Sequence, residues 1–111
     1  MTADEKLFVM TLDPGFEQRL LESLRQSEQG AVLALSAGAV DALVRGAGDL
    51  LDDAEKLGIN PLLVCSPQVR AALSRLMRQV LPRLVVISYS EVSRTASIET
   101  VGVVNGAVAL A

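Results

Sequence analysis

The same punctuation recurs along the chain: a short apolar run, a small capping residue, then a helical repeat. Leu7-Phe8-Val9-Met10-Thr11-Leu12 meets Asp13-Pro14, Ala31-Val32-Leu33-Ala34-Leu35 meets Ser36, and Leu62-Leu63-Val64-Cys65 meets Ser66-Pro67. Asp and Ser are suited to cap helices. Pro at the first helical position gives up only an N–H that the helix would leave orphaned. Repeated strand-to-helix units imply right-handed crossovers and mostly parallel pairing. The expected fold class is therefore α/β: one small domain over residues 1–111, with a mostly parallel sheet of about four to five strands flanked by three helices.

Helical spacing of Phe16, Leu20, Leu21 and Leu24 extends the first helix to about Glu28, before Gly30. The second helix is expected from about Ala37 to Leu57, with Val40, Leu43, Ala47, Leu50, Leu51, Ala54 and Leu57 on its apolar stripe. Gly46 and Gly48 weaken its middle and mark either a kink or a close neighbouring backbone. Leu62–Cys65 is apolar without alternation, as in a strand buried on both faces, and is expected at the centre of the sheet. The third helix turns Val69, Ala72, Leu73, Leu76, Met77 and Val80 inward and Arg70, Ser74, Arg75 and Arg78 outward. Leu84–Tyr89 and Ile98–Val104 are the remaining strand candidates. Ser90–Ser97 reads as a polar turn, and the small-residue tail from Asn105 to Ala111 is expected to fray.

Half of the 111 residues are apolar but only 3% are aromatic, so the core must be aliphatic. Ten basic against 13 acidic residues give a net charge of −3, with the arginines interspersed among acids, which argues against a general nucleic-acid binder. There is no histidine and Cys65 is the only cysteine, so an internal disulfide and histidine-based metal or catalytic sites are excluded. Cys65 reads as a small buried hydrophobe. No apolar run approaches the roughly 20 residues needed to cross a bilayer, and the polar start is not a signal peptide, so a cytoplasmic location is expected.

Chemistry-bearing constellations are sparse. No GxGxxG or GxxxxGK[ST] cradle is present, and Asp52 and Asp53 diverge on adjacent helical positions, so no cofactor or metal is expected. Ser36 and Ser66 stand at strand carboxyl ends, where doubly wound folds bind ligands; a small-anion or nucleotide-binding regulatory domain is therefore an alternative, although capping alone accounts for both. A receiver-like regulator would need an acidic cluster at the first strand end, where only Asp13 stands. Arg70, Arg75, Arg78 and Arg83 form the most distinctive charged group, suited to pairing with carboxylates of a partner. Tyr89, the only tyrosine, ends an apolar strand, and its ring is expected to pack there.

Taken in order, Ser66-Pro67, Arg70, Leu81-Pro82-Arg83-Leu84, Ser88-Tyr89-Ser90-Glu91 and Val101-Gly102-Val103-Val104 make one connected pattern. It resembles the end of the type III secretion export-gate proteins, the FlhA/InvA/SctV family of flagella and injectisomes. Thr11-Leu12-Asp13-Pro14 followed by Glu17, and Leu33-Ala34-Leu35-Ser36, are similar to that family's earlier strand-to-helix junctions. The Gly46 and Gly48 pair departs from the pattern. The resemblance implies a non-enzymatic last subdomain of the cytoplasmic part of a larger inner-membrane protein, whose membrane region precedes it. It also implies a nonameric ring of like subunits, and partners that are chaperone–substrate complexes or switch regulators. Arg70, Arg75, Arg78, Arg83 and Glu91 are the candidate interface residues; Ser36, Ser66, Pro67 and Tyr89 are structural candidates.

Overall fold

A computed structural model describes residues 6–28, 30–92 and 97–104. Strand β1 (Lys6–Leu12) leads to helix α1 (Pro14–Glu22), which Asp13 caps by accepting from the Phe16 N–H at 3.1 Å. The helix stops at Glu22, short of the expected Glu28. The Ser23 N–H returns to the Arg19 and Leu20 carbonyls, and the Ser23 hydroxyl donates to the Leu20 carbonyl at 2.9 Å. A serine hydroxyl bonded to a carbonyl three residues back competes with helix continuation.

The next residues form an antiparallel hairpin, β2 (Leu24–Ser27) and β3 (Gly30–Leu33), with Leu24 opposite Leu33 and Ser27 opposite Gly30. Gly30 has φ +101°, a conformation that favours glycine. The run at Ala31 is thus a strand as expected, but it pairs with β2 and lies outside the parallel sheet. Leu24 and Leu33 both pack against the core, so the hydrophobic spacing that suggested a longer helix is satisfied by strand geometry.

Helix α2 (Ala37–Lys56) is capped by Ser36, which accepts from the Ala39 N–H at 3.1 Å, and it buries Ala39, Leu43, Ala47, Leu51 and Ala54. It runs unbroken through both glycines. A Cβ on Gly46 would lie 3.3 Å from Val104 Cγ1, so Gly46 marks neither a kink nor a close backbone but the close approach of a side chain, whereas Gly48 faces open space. Strand β4 (Leu62–Cys65), helix α3 (Pro67–Val80), strand β5 (Val85–Ser88), a 3-10 turn at Tyr89–Glu91 and strand β6 (Ser97–Val104) complete the described chain. The tail from Asn105 lies outside the described residues.

Among the described residues the main sheet has four strands in the order β5-β4-β1-β6, every pair parallel. The two inner positions fall to β4 and β1. Neighbouring residues of a strand point to opposite faces, and Val9 with Met10, and Leu63, Val64 and Cys65, are all buried, so both faces of the inner strands are covered. One core joins Met10, Leu12, Leu63, Cys65, Val86 and Val104 of the sheet to Phe16 and Leu20 of α1, Leu43 and Leu51 of α2, and Leu73 and Met77 of α3.

Candidate docking surface

The carboxyl ends of the strands form one edge of the molecule, and each is closed by the chain's own groups. Asp13 follows β1 and caps α1; its N–H also donates to the Val104 carbonyl at 2.9 Å. At the end of β4 the Ser66 N–H donates to Glu17 Oε2 of α1 at 2.6 Å. Ser66 occupies the cap position of α3 in an extended conformation, yet its hydroxyl makes no capping bond, and Oγ is buried without a hydrogen-bond partner among the described residues. Capping by the Ser66 side chain was expected and does not occur: the junction is held instead by Glu17 and by Pro67 in the first helical turn. No local signal announces the Glu17 contact, which spans 49 positions.

At the end of β5 the Ser88 N–H donates to Glu91 Oε1 at 2.7 Å, completing a capping box around the 3-10 turn. Arg70 of α3 grips the same carboxylate through Nε at 2.7 Å and Nη2 at 3.1 Å. Two of the residues singled out from sequence therefore meet. Arg70 does not simply face out: it is half-buried and fastens α3 to the turn beyond β5.

The Ser88 N–H and the Arg70 guanidinium both favour the charged form of Glu91 and hold its pKa below the ordinary 4.5. A pKa depressed in the folded state means a contribution complete above 4.5 and lost as pH falls through the lower folded value. The stability gap between the wild type and Glu91→Gln should accordingly narrow as the solution is acidified below 4.5. Chemical denaturation across that range would reveal it, and a gap independent of pH would show that the pairing makes no such contribution.

The other arginines go elsewhere. Arg83 pairs with Asp52 at 3.3 Å and with Glu55, tying the turn before β5 to α2 on a face where the Asp52 carboxylate stays exposed. Arg75 is also half-buried rather than outward, and donates from Nη1 to the Ala31 carbonyl of β3 at 3.2 Å. Arg78 is exposed and, among the described residues, has no ion-pair or hydrogen-bond partner. Among the described residues, the five candidate interface residues are spread over three contacts and one free cation, not gathered in one patch.

Tyr89 is 50% exposed, which corrects the expectation of a packed ring: the 3-10 turn carries it past the covered part of β5. Its partial burial and the Glu17 carboxylate push its pKa above the usual value. Tyr89→Ala should cost about 1 kcal/mol or less in a thermal or urea melt, the range of surface changes. A loss near the roughly 3 kcal/mol of a buried ring would contradict the exposure. Cys65 is fully buried and donates weakly to the Ile87 carbonyl at 3.6 Å. Burial, with Glu17 adding to it, pushes the thiol up to about 12, far from a reactive thiolate.

Among the described residues no group of three metal-ligating side chains converges, and no helix is long and apolar enough to cross a membrane. The strand-end edge carries Asp13, Glu17 and Glu91, which oppose an anion where a doubly wound fold would hold one.

This parallel α/β arrangement is shared with solved SctV-type chains. The chain aligns with Chlamydia pneumoniae CdsV, solved in complex with CdsO, at TM-score 0.74 and 24% identity over 93% of this chain and 30% of that one. It aligns with the nonameric SctV-C of EPEC at TM-score 0.72 and 21% identity, covering 90% of this chain and 29% of that one. The chain belongs to the FHIPEP family, which it matches over residues 1–97. The flagellar biosynthesis protein FlhA of Bacillus subtilis is 30% identical over 105 residues, 92% of this chain but only 15% of the relative's length.

Proposed function

We propose that the chain is the last cytoplasmic subdomain of a type III export-gate protein, contributing to a ring of like subunits and to docking of chaperone–substrate complexes or switch regulators. The observation that carries the reading is family membership over residues 1–97. The fold shared with a nonameric SctV-C and with CdsV, solved together with CdsO, supports ring assembly and partner binding. The module acts without catalysis at the cytoplasmic face of the inner membrane, held there by a membrane region elsewhere in the protein. Self-closure of the strand ends supports contact rather than turnover. Arg70, Arg75, Arg78, Arg83 and Glu91 are its proposed interface residues, with Arg70 and Glu91 acting as a pre-formed pair.

In-frame removal of this segment from the full-length protein tests the reading. Secretion should stop while the remaining protein still inserts in the membrane. Secretion at the normal rate without the segment would overturn the proposal. Calorimetric titration with ATP, GTP and phosphate should give no saturable heat; saturable binding would favour the nucleotide or anion alternative.

A further inference from the structure

Of the arginines on and beside α3, Arg70 and Arg83 are in ion pairs, whereas Arg75 and Arg78 have none among the described residues. Arg78 follows Arg75 by one helical turn and so shares its flank. Arg75 lines a groove of about 140 Å³ between α3 and the hairpin strand β3. Ala31, Leu33, Ala72 and Leu76 supply apolar lining, with Gln79 beside them. One N–H of Arg75 is spent on the Ala31 carbonyl. A guanidinium has five donors in a planar fork, so most remain for a ligand. A half-buried cation among aliphatic side chains is poorly hydrated, and a carboxylate meeting it there makes a stronger hydrogen bond than it would in water.

We propose that the groove between α3 and β3 docks an acidic, apolar segment of a partner protein. A carboxylate of the segment pairs with Arg75, with Arg78 reinforcing the positive field, and flanking aliphatic side chains cover Leu33, Ala72 and Leu76. A neutral apolar segment would leave Arg75 with its charge uncompensated and further desolvated, which is costly. Nucleic acid is disfavoured, because two cations on a chain of net charge −3 do not make a phosphate track. The inference rests on the docking reading above for its biological occupant, but its test needs no secretion component, so the two can fail separately.

The test is selection of a phage-displayed random dodecapeptide library on the immobilised chain, followed by amide chemical-shift mapping with the most enriched peptide. Enriched sequences should place Asp or Glu beside Leu, Ile, Val or Phe, and shifts should fall on residues 31–33 and 72–79. Arg75→Gln keeps an N–H for the Ala31 carbonyl and drops the charge; circular dichroism establishes that it is folded. It should bind about tenfold more weakly, the loss expected for a desolvated charged hydrogen bond, whereas Arg19→Gln on α1 should bind as the wild type does. Absence of enrichment, enrichment without acids, shifts elsewhere, or equal binding by Arg75→Gln would each overturn the proposal.

Discussion

Leu63→Ala should destabilise the fold by about 2–5 kcal/mol, the cost of a large-to-small change at a fully buried site that cannot collapse. Leu63 is inaccessible to solvent and lies between Met10 of β1 and Val86 of β5, both also buried. Because β4 is an inner strand covered on both faces, no side chain can swing in from solvent to fill the void. Domains of this size are stable by only about 5–15 kcal/mol, so the melting temperature should drop by about 10 °C or more. Val85→Ala is the internal control: Val85 is 55% exposed on the edge strand β5 and should lose about 1 kcal/mol or less. Urea melts of both variants provide the measurement. Similar losses at the two positions would contradict the inner placement of β4.

Gly102→Val should cost about 1–3 kcal/mol, through overpacking rather than through a cavity. A Cβ at position 102 would lie 2.9 Å from Leu50 Cδ1 and 3.2 Å from Cγ, and closer still to Cδ2, so α2 and β6 touch where the strand has no side chain. The neighbouring Val101 is the extra residue of a bulge, since Val9 pairs with Thr100 and Met10 with Gly102. Leu50 is a flexible, half-buried side chain, which makes the clash specific to one partner. Combining Gly102→Val with Leu50→Ala should therefore cost less than the sum of the two single changes. Thermal unfolding of the four proteins in the cycle measures the coupling. Simple additivity would show that Gly102 answers to something other than Leu50.

The elements that could be read from sequence are those that carry their own punctuation. Asp13-Pro14 and Ser66-Pro67 mark the starts of α1 and α3, and Ser36 marks α2, because caps and proline act within one turn. The β3 run could be read, but β2 was illegible because Leu20, Leu21 and Leu24 keep helical spacing across the point where the helix stops. Its sequence, Leu-Arg-Gln-Ser, has little strand preference of its own. The clue lay in Gly30, whose left-handed backbone closes a turn, but position alone does not say which strands it joins. For the candidate surface, residue choice outran geometry. Arg70 and Glu91 could be named, but their partners stand 21 positions apart, and those of Arg83 lie 28 and 31 positions back in α2. Such pairings exist only after the layers are stacked. For the same reason the difference between a tied arginine and a free one is invisible in the chain.

The pairing of β1 with β6 also has a mechanical side. Lys6 through Leu12 run alongside Ser97 through Val104 in the same direction, with seven residues of β1 paired and the register shifting once, at the Val101 bulge. Tension applied between Lys6 and Val104 would pull the two strands lengthwise past each other. Inter-strand bonds, lying across that direction, would share the force in shear rather than open one after another. A subdomain loaded along this axis resists extension with its whole longest ladder at once, whereas the separate β2–β3 hairpin lies outside the loaded pair and can be strained without breaking the clamp.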